Sequence, residues 1–151
     1  MFYIKRALVV LGLVVATFPA CAFTFSYGNL LDVKEVKNKN GVLQLPLTRK
    51  KYKNVKILSK ELYEFVRQCS ADCRYAAGTP EWEMAEFRAV QSRQDMWIAD
   101  VSVNGELLLT CLVFKNKNGL SIKFPQEVRF TDNAFKEQMR QYVEQFAAEK
   151  I

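Results

Sequence analysis

The chain has 151 residues, half of them apolar, with 22 Lys and Arg against 16 Asp and Glu and a net charge of +6. It has no histidine, which removes the commonest general base and every His-dependent triad. With one close cysteine pair and no Gly-rich phosphate loop, it offers neither a zinc site nor a nucleotide cradle, and no enzyme and no cofactor are expected.

The first 22 residues read as a signal peptide. Lys5 and Arg6 form a basic n-region, Ala7 to Phe18 an apolar core, and Ala20-Cys21-Ala22 an A-x-A cleavage site. The apolar core is shorter than the roughly 20 residues a membrane-spanning helix needs, so no membrane span is expected after cleavage. Cleavage after Ala22 gives a periplasmic or secreted protein beginning at Phe23. Lipidation at Cys21 is the alternative. Loss of Lys5 and Arg6 lowers the net charge from +6 to +4. That balance suits an anionic lipid, nucleic acid or acidic partner without choosing among them.

From Phe23 a strand-like run, a Tyr27-Gly28-Asn29 turn and a second run lead to KNKNG, Lys37–Gly41. VLQLP follows, a short strand stopped by Pro46. Next comes TRKKYKNVK, where Arg49, Lys50, Lys51, Lys53 and Lys56 surround Tyr52. It reads either as a solvated loop or as a contact for an anionic partner. Lysines and arginines can neutralise phosphates there, and the tyrosine can stack on a base. In LSKELYEFVRQ, Leu58, Leu62, Phe65 and Val66 make one stripe of a helix capped by Ser59.

Cys69 and Cys73 flank a three-residue loop just past that helix. In an exported protein they are expected to form a disulfide. Residues 74–95 carry signals for both a helix (Thr79-Pro80-Glu81 as its start) and a strand, and the choice stays open. Ser92–Asp95 reads as a turn. Beyond it, Asn104-Gly105 marks a hairpin. Cys111, within LLLTCLVF, reads as a buried thiol.

A second KNKNG stands at Lys115–Gly119, followed by LSIKFP, which ends at Pro125. QEVRFTD then occupies the place of the basic loop, with only Arg129 basic. Thr131 or Asp132 caps a last helix with Phe135, Met139, Tyr142, Val143 and Phe146 on one stripe. Laid over the first helix at a shift of 77 residues, it reads as the end of a tandem duplication, with two unrelated Asn/Lys turns as the alternative. The expected fold is α+β: two ββ-β-α units, each a small antiparallel sheet with a C-terminal amphipathic helix, packed as a pseudo-dimer. The expected division is residues 23–73, a connecting segment 74–95, and residues 96–151. Halves of this size would be marginal alone and gain by sharing a core.

The order strand, hairpin, N-x-N-G turn, short strand to a proline, basic loop and helix resembles the SpoVG (stage V sporulation protein G, septation) family. NGLSIKFP, Asn118–Pro125, and NGVLQLPLTRKK, Asn40–Lys51, carry the resemblance. It implies a small antiparallel sheet that dimerises and binds DNA or RNA through basic residues. Arg49, Lys50 and Lys51 match that basic loop, and the second copy lacks it. The family is cytosolic, whereas this N-terminus reads as exported.

The expected function is therefore an exported, non-enzymatic binding protein with a SpoVG-like fold, engaging a protein or anionic polymer of the cell envelope. One alternative is a SpoVG-like nucleic-acid-binding regulator using the basic loop. Another is a periplasmic inhibitor or immunity protein with Ser70–Asp72 as a wedge. Self-association through sheet edges is a further expectation.

Overall fold

Two hairpins with three-residue loops set the frame. A computed structural model describes residues 21–46 and 54–151. In it, β1 (Phe23–Tyr27) turns through Gly28-Asn29-Leu30 into β2 (Leu31–Lys39). Likewise β7 (Met96–Val103) turns through Asn104-Gly105-Glu106 into β8 (Leu107–Asn116). Gly28 at φ 54° and Asn104 at φ 54° open the two turns. Leu30 N donates to Tyr27 O at 3.1 Å in one, and Glu106 N to Val103 O at 3.0 Å in the other. Gly28 is also required by packing, because a Cβ there would meet Ala77 Cβ at 2.9 Å.

The two KNKNG copies form different turns. In the first, Lys39 pairs with Val42 and the turn is Asn40-Gly41, at φ 54° and 81°. In the second, Asn116 pairs with Gly119 and the turn is Lys117-Asn118. The segments that follow are β3 (Val42–Gln44) and β9 (Gly119–Lys123).

A further strand then precedes each helix: β4 (Val55–Ile57) before α1 (Lys60–Arg67), and β10 (Val128–Phe130) before α2 (Asn133–Lys150). This corrects the ββ-β-α unit expected from the sequence. Val55–Ile57 and Val128–Phe130 form no local hairpin, and each pairs across the molecule. In β4, Val55 pairs with Leu109 and Ile57 with Leu107. In β10, Val128 pairs with Val33 and Phe130 with Leu31. Backbone bonds extend both pairings at matching places. Thr110 N donates to Asn54 O at 3.0 Å and Lys34 N to Glu127 O at 2.8 Å. Leu58 N donates to Glu106 O at 2.7 Å and Thr131 N to Leu30 O at 2.9 Å. The side chains of Asn54 and Glu127 hydrogen-bond to each other.

Residues 74–95 are extended. After β5 (Cys73–Tyr75), β6 (Trp82–Ala89) pairs antiparallel with β7, and β5 pairs parallel with β1. Sheet I is thus ordered β10-β2-β1-β5 with β3 beside β2, and sheet II β4-β8-β7-β6 with β9 beside β8. Both are antiparallel apart from the β1–β5 pair.

The helices close the core. Ser59 and Asp132 are the N-caps, with side chains accepting from Leu62 N and Phe135 N. The caps lie 73 residues apart, so the 77-residue overlay is out by about one helical turn. Leu58 precedes its cap and is 49 % exposed, so it is not part of the stripe. Leu62 and Val66 of α1, and Phe135, Met139, Val143 and Ala147 of α2, are buried. They join both sheets in one apolar cluster that runs from Phe23 to Ala147.

Candidate functional site

The alternation of β9 sends Leu120 and Ile122 toward the core and Ser121 and Lys123 outward. Phe124 and buried Pro125 then bend the chain, and Val128 N closes the turn on Pro125 O at 3.2 Å. Returning along β10, the chain brings Arg129 out and half-buried Phe130 in. Lys136, Glu137 and Arg140 descend from α2, and Lys34 comes from β2. These residues line a cleft of about 730 Å³.

Its floor is apolar. Phe124 and Phe130 meet edge to face with centroids 4.8 Å apart, and Phe130 leans on Phe135 at 6.0 Å. Lys136 Nζ stands 5.9 Å from the Phe124 centroid and 5.8 Å from that of Phe130, within cation–π range. The rim is cationic: Lys34, Lys123, Arg129 and Lys136 are all exposed.

The two arginines are already engaged. Arg129 Nη2 donates to Asp32 Oδ2 at 2.7 Å, and Ser26 Oγ donates to Asp32 Oδ1 at 2.7 Å. Burial works against ionisation of Asp32. The hydrogen bonds from Ser26 and Arg129 outweigh it and hold the carboxyl below the usual carboxylate range. Arg140 donates to Glu137 and Glu144, each at 2.5 Å, and those bonds hold its guanidinium still more firmly protonated. Among the described residues, Lys34, Lys123 and Lys136 have no carboxylate partner within ion-pair distance.

A second polar cluster ties the two hairpins together. Tyr27 and Tyr75, stacked with centroids 6.0 Å apart, donate to the two oxygens of Glu106 at 2.6 and 2.8 Å. Burial, then the bond to Glu106, pushes the Tyr27 hydroxyl far up; the same bond, then burial, pushes Tyr75 up to about 12. Both therefore stay protonated donors across the neutral range. In sheet II, Asp100 accepts from Thr110 Oγ1 at 2.7 Å and from Arg88 Nη1 at 3.1 Å. No group of three or more Cys, Asp or Glu among the described residues is placed to hold a metal ion.

Of the sequence-derived contact residues, Arg49, Lys50, Lys51, Tyr52 and Lys53 lie outside the described residues. Lys56 is exposed on β4 opposite Leu108, in a strand rather than in the loop expected. Cys69 and Cys73 are joined as a disulfide with Cα atoms 6.3 Å apart, fastening the end of α1 to β5. Of the wedge residues Ser70–Asp72, Asp72 is engaged, accepting from Thr24 N at 2.9 Å. Cys111 is buried, and burial pushes its thiol up to about 12.

Sequence reading passed over the cleft because Lys34, Lys123, Arg129 and Lys136 are scattered from β2 to α2. The one local signal was the alternation of cation and aromatic in Lys123-Phe124 and Arg129-Phe130. Among the described residues, no helix is long and apolar enough to cross a membrane. Comparison with protein-family models, curated proteins and solved structures finds no match.

Proposed function

We propose that the chain is an exported, non-enzymatic binding protein that engages an anionic partner of the cell envelope through the cleft between β9, β10 and α2. The observation that carries this reading is the convergence of Lys34, Lys123 and Lys136, exposed and outside ion-pair distance of any carboxylate among the described residues, around the Phe124–Phe130 floor.

The scaffold for this cleft we read as a tandem SpoVG-like duplication, residues 23–73 and 96–151 joined by 74–95 and packed as a pseudo-dimer. Support comes from the reciprocal placement of β4 in sheet II and β10 in sheet I. Leu31 and Leu107, and Val33 and Leu109, take corresponding places at a constant offset of 76 residues. A nucleic-acid partner is the second reading, favoured by the aromatic rings among the lysines of the cleft.

The test is binding of the purified chain to heparin and to polyphosphate across a salt series. Log affinity is expected to fall linearly with log salt, as counterions are released. Lys123→Glu combined with Lys136→Glu is expected to abolish binding. Unchanged affinity in the double variant, or a flat salt series, would overturn the reading.

A further inference from the structure

The cleft is larger than a bare oxyanion needs, and beneath its polar rim lie apolar side chains. Its volume, about 730 Å³, exceeds what a bare oxyanion fills, and the cleft is open to solvent. Half-buried Ile122, Phe124 and Phe130 form its floor, continuous with the edge of the core. Its cations are separated by role. Arg129 and Arg140, whose planar forks would grip a carboxylate on two points, are held by Asp32 and by Glu137 with Glu144. The groups left for a ligand are the ammonium heads of Lys34, Lys123 and Lys136, point charges on flexible stems that suit a phosphate approached from several sides. An occupant made only of charge would leave Ile122 and the ring faces to Lys136 alone, and an apolar one would leave the ammonium groups of Lys34 and Lys123 unanswered.

We infer that the cleft takes a phosphate-bearing amphiphile, with the phosphate of its headgroup on Lys123, Lys136 and Lys34 and its apolar body along Ile122, Phe124 and Phe130. This rests on the anion-binding reading of the same cleft and narrows it. The occupant inserts as a single molecule between β9, β10 and α2, rather than spreading as a bilayer under the protein.

The experiment uses the full mature chain and titration calorimetry with four probes: a short-chain phosphatidylglycerol below its micelle concentration, glycerol 3-phosphate, heparin, and phosphatidylglycerol vesicles. Monomeric phosphatidylglycerol is expected to bind at least about tenfold more tightly than glycerol 3-phosphate, the return on burying roughly two methylene groups. Phe124→Ala should erase most of that difference and leave heparin affinity within about twofold, since it removes no charge. Ile122→Thr, a milder change on the same floor, should act in the same direction and keeps the test available if Phe124→Ala does not fold.

Lys123→Glu with Lys136→Glu, both at exposed positions, should remove every interaction. Heparin binding without preference for the amphiphile over glycerol 3-phosphate would overturn the inference and leave the anion-binding reading standing. Binding to vesicles but not to the monomer would overturn it in favour of a surface contact. Binding to none of the four probes would remove both.

Discussion

Sheets I and II bury the same kind of inner face and differ on the other. Opposite the core, β1 and β2 carry Thr24, Ser26 and Asp32, with Arg74 and Arg129 from the flanking strands. The corresponding face of β7 and β8 carries Met96, Ile98 and Leu108, at 2 %, 2 % and 7 % exposure. One aspartate sits within each face. Asp32 is answered by Ser26 and Arg129 beside solvent, and Asp100 by Thr110 and Arg88 in a more apolar setting. Two sheets can thus share pairing geometry and diverge in what their outer surfaces tolerate. A strand buried on both faces is written as a continuous apolar run, as in LLLTCLVF of β8, whereas β1 alternates as FTFSY.

Matched substitutions test the inner face that the two sheets share. Leu109 and Val33 occupy corresponding places and are both fully buried. Leu109→Ala is expected to cost about 2–5 kcal/mol in denaturant unfolding. Val33→Ala removes less and is expected to cost less. Both losses should appear in one cooperative transition, because the apolar cluster spans both sheets. Equal losses, or two separate transitions, would break the comparison.

A smaller effect is expected at the edge of sheet I. Cys73→Ala opens the Cys69–Cys73 loop, and chain entropy for so short a loop sets the loss near about 2 kcal/mol. Hydrogen exchange should quicken at β5 and at the facing edge of β1 and leave the β6–β7 pairing unchanged. Uniform quickening over both sheets would show that the bond holds more than one edge.

The smallest effect belongs to pH. Asp32 titrates lower in the folded protein than its ordinary value of 3.8, and the unfolded chain binds that proton near about pH 3.9. Its contribution is therefore present above about pH 4 and is lost as the pH falls through the lower folded value. The Arg129 side chain is 64 % exposed, so solvent screening limits the contribution to about 1 kcal/mol. Asp32→Asn should be less stable than wild type at neutral pH by about that much and converge with it in acid. A difference that persists in acid would assign the loss to packing rather than charge.

Much of this was legible in the sequence, and the gaps have physical causes. Local signals identified both hairpin turns, the Ser59 cap and the close cysteine pair, and narrowed the second cap to Thr131 or Asp132, because each is decided by a few neighbouring residues. The strand in residues 82–89 stayed ambiguous because Thr79-Pro80-Glu81 imitates a helix start while Trp82–Ala89 pairs with β7. Strands β4 and β10 were missed because their partners lie far along the chain; Arg129 and Asp32 are 97 residues apart. The overlay of the helices slipped because an amphipathic stripe repeats nearly every turn, and only the caps fix its phase. At the candidate site, the concentrated basic run drew attention toward Arg49–Lys53, whereas the lysines of the cleft are gathered by folding alone.

The reciprocal placement of β4 and β10 has a consequence for the order in which the chain acquires its structure. Until β8 is available, β4 has no strand to join, and until β10 arrives the Leu31–Val33 edge of β2 has no partner. β2 and β4 therefore cannot complete their pairing early in N-to-C synthesis, and the closing step waits for β10, the last strand. Such long-range closure slows folding and keeps an apolar strand edge open in the meantime. That interval sets how long the chain depends on being kept apart from its neighbours.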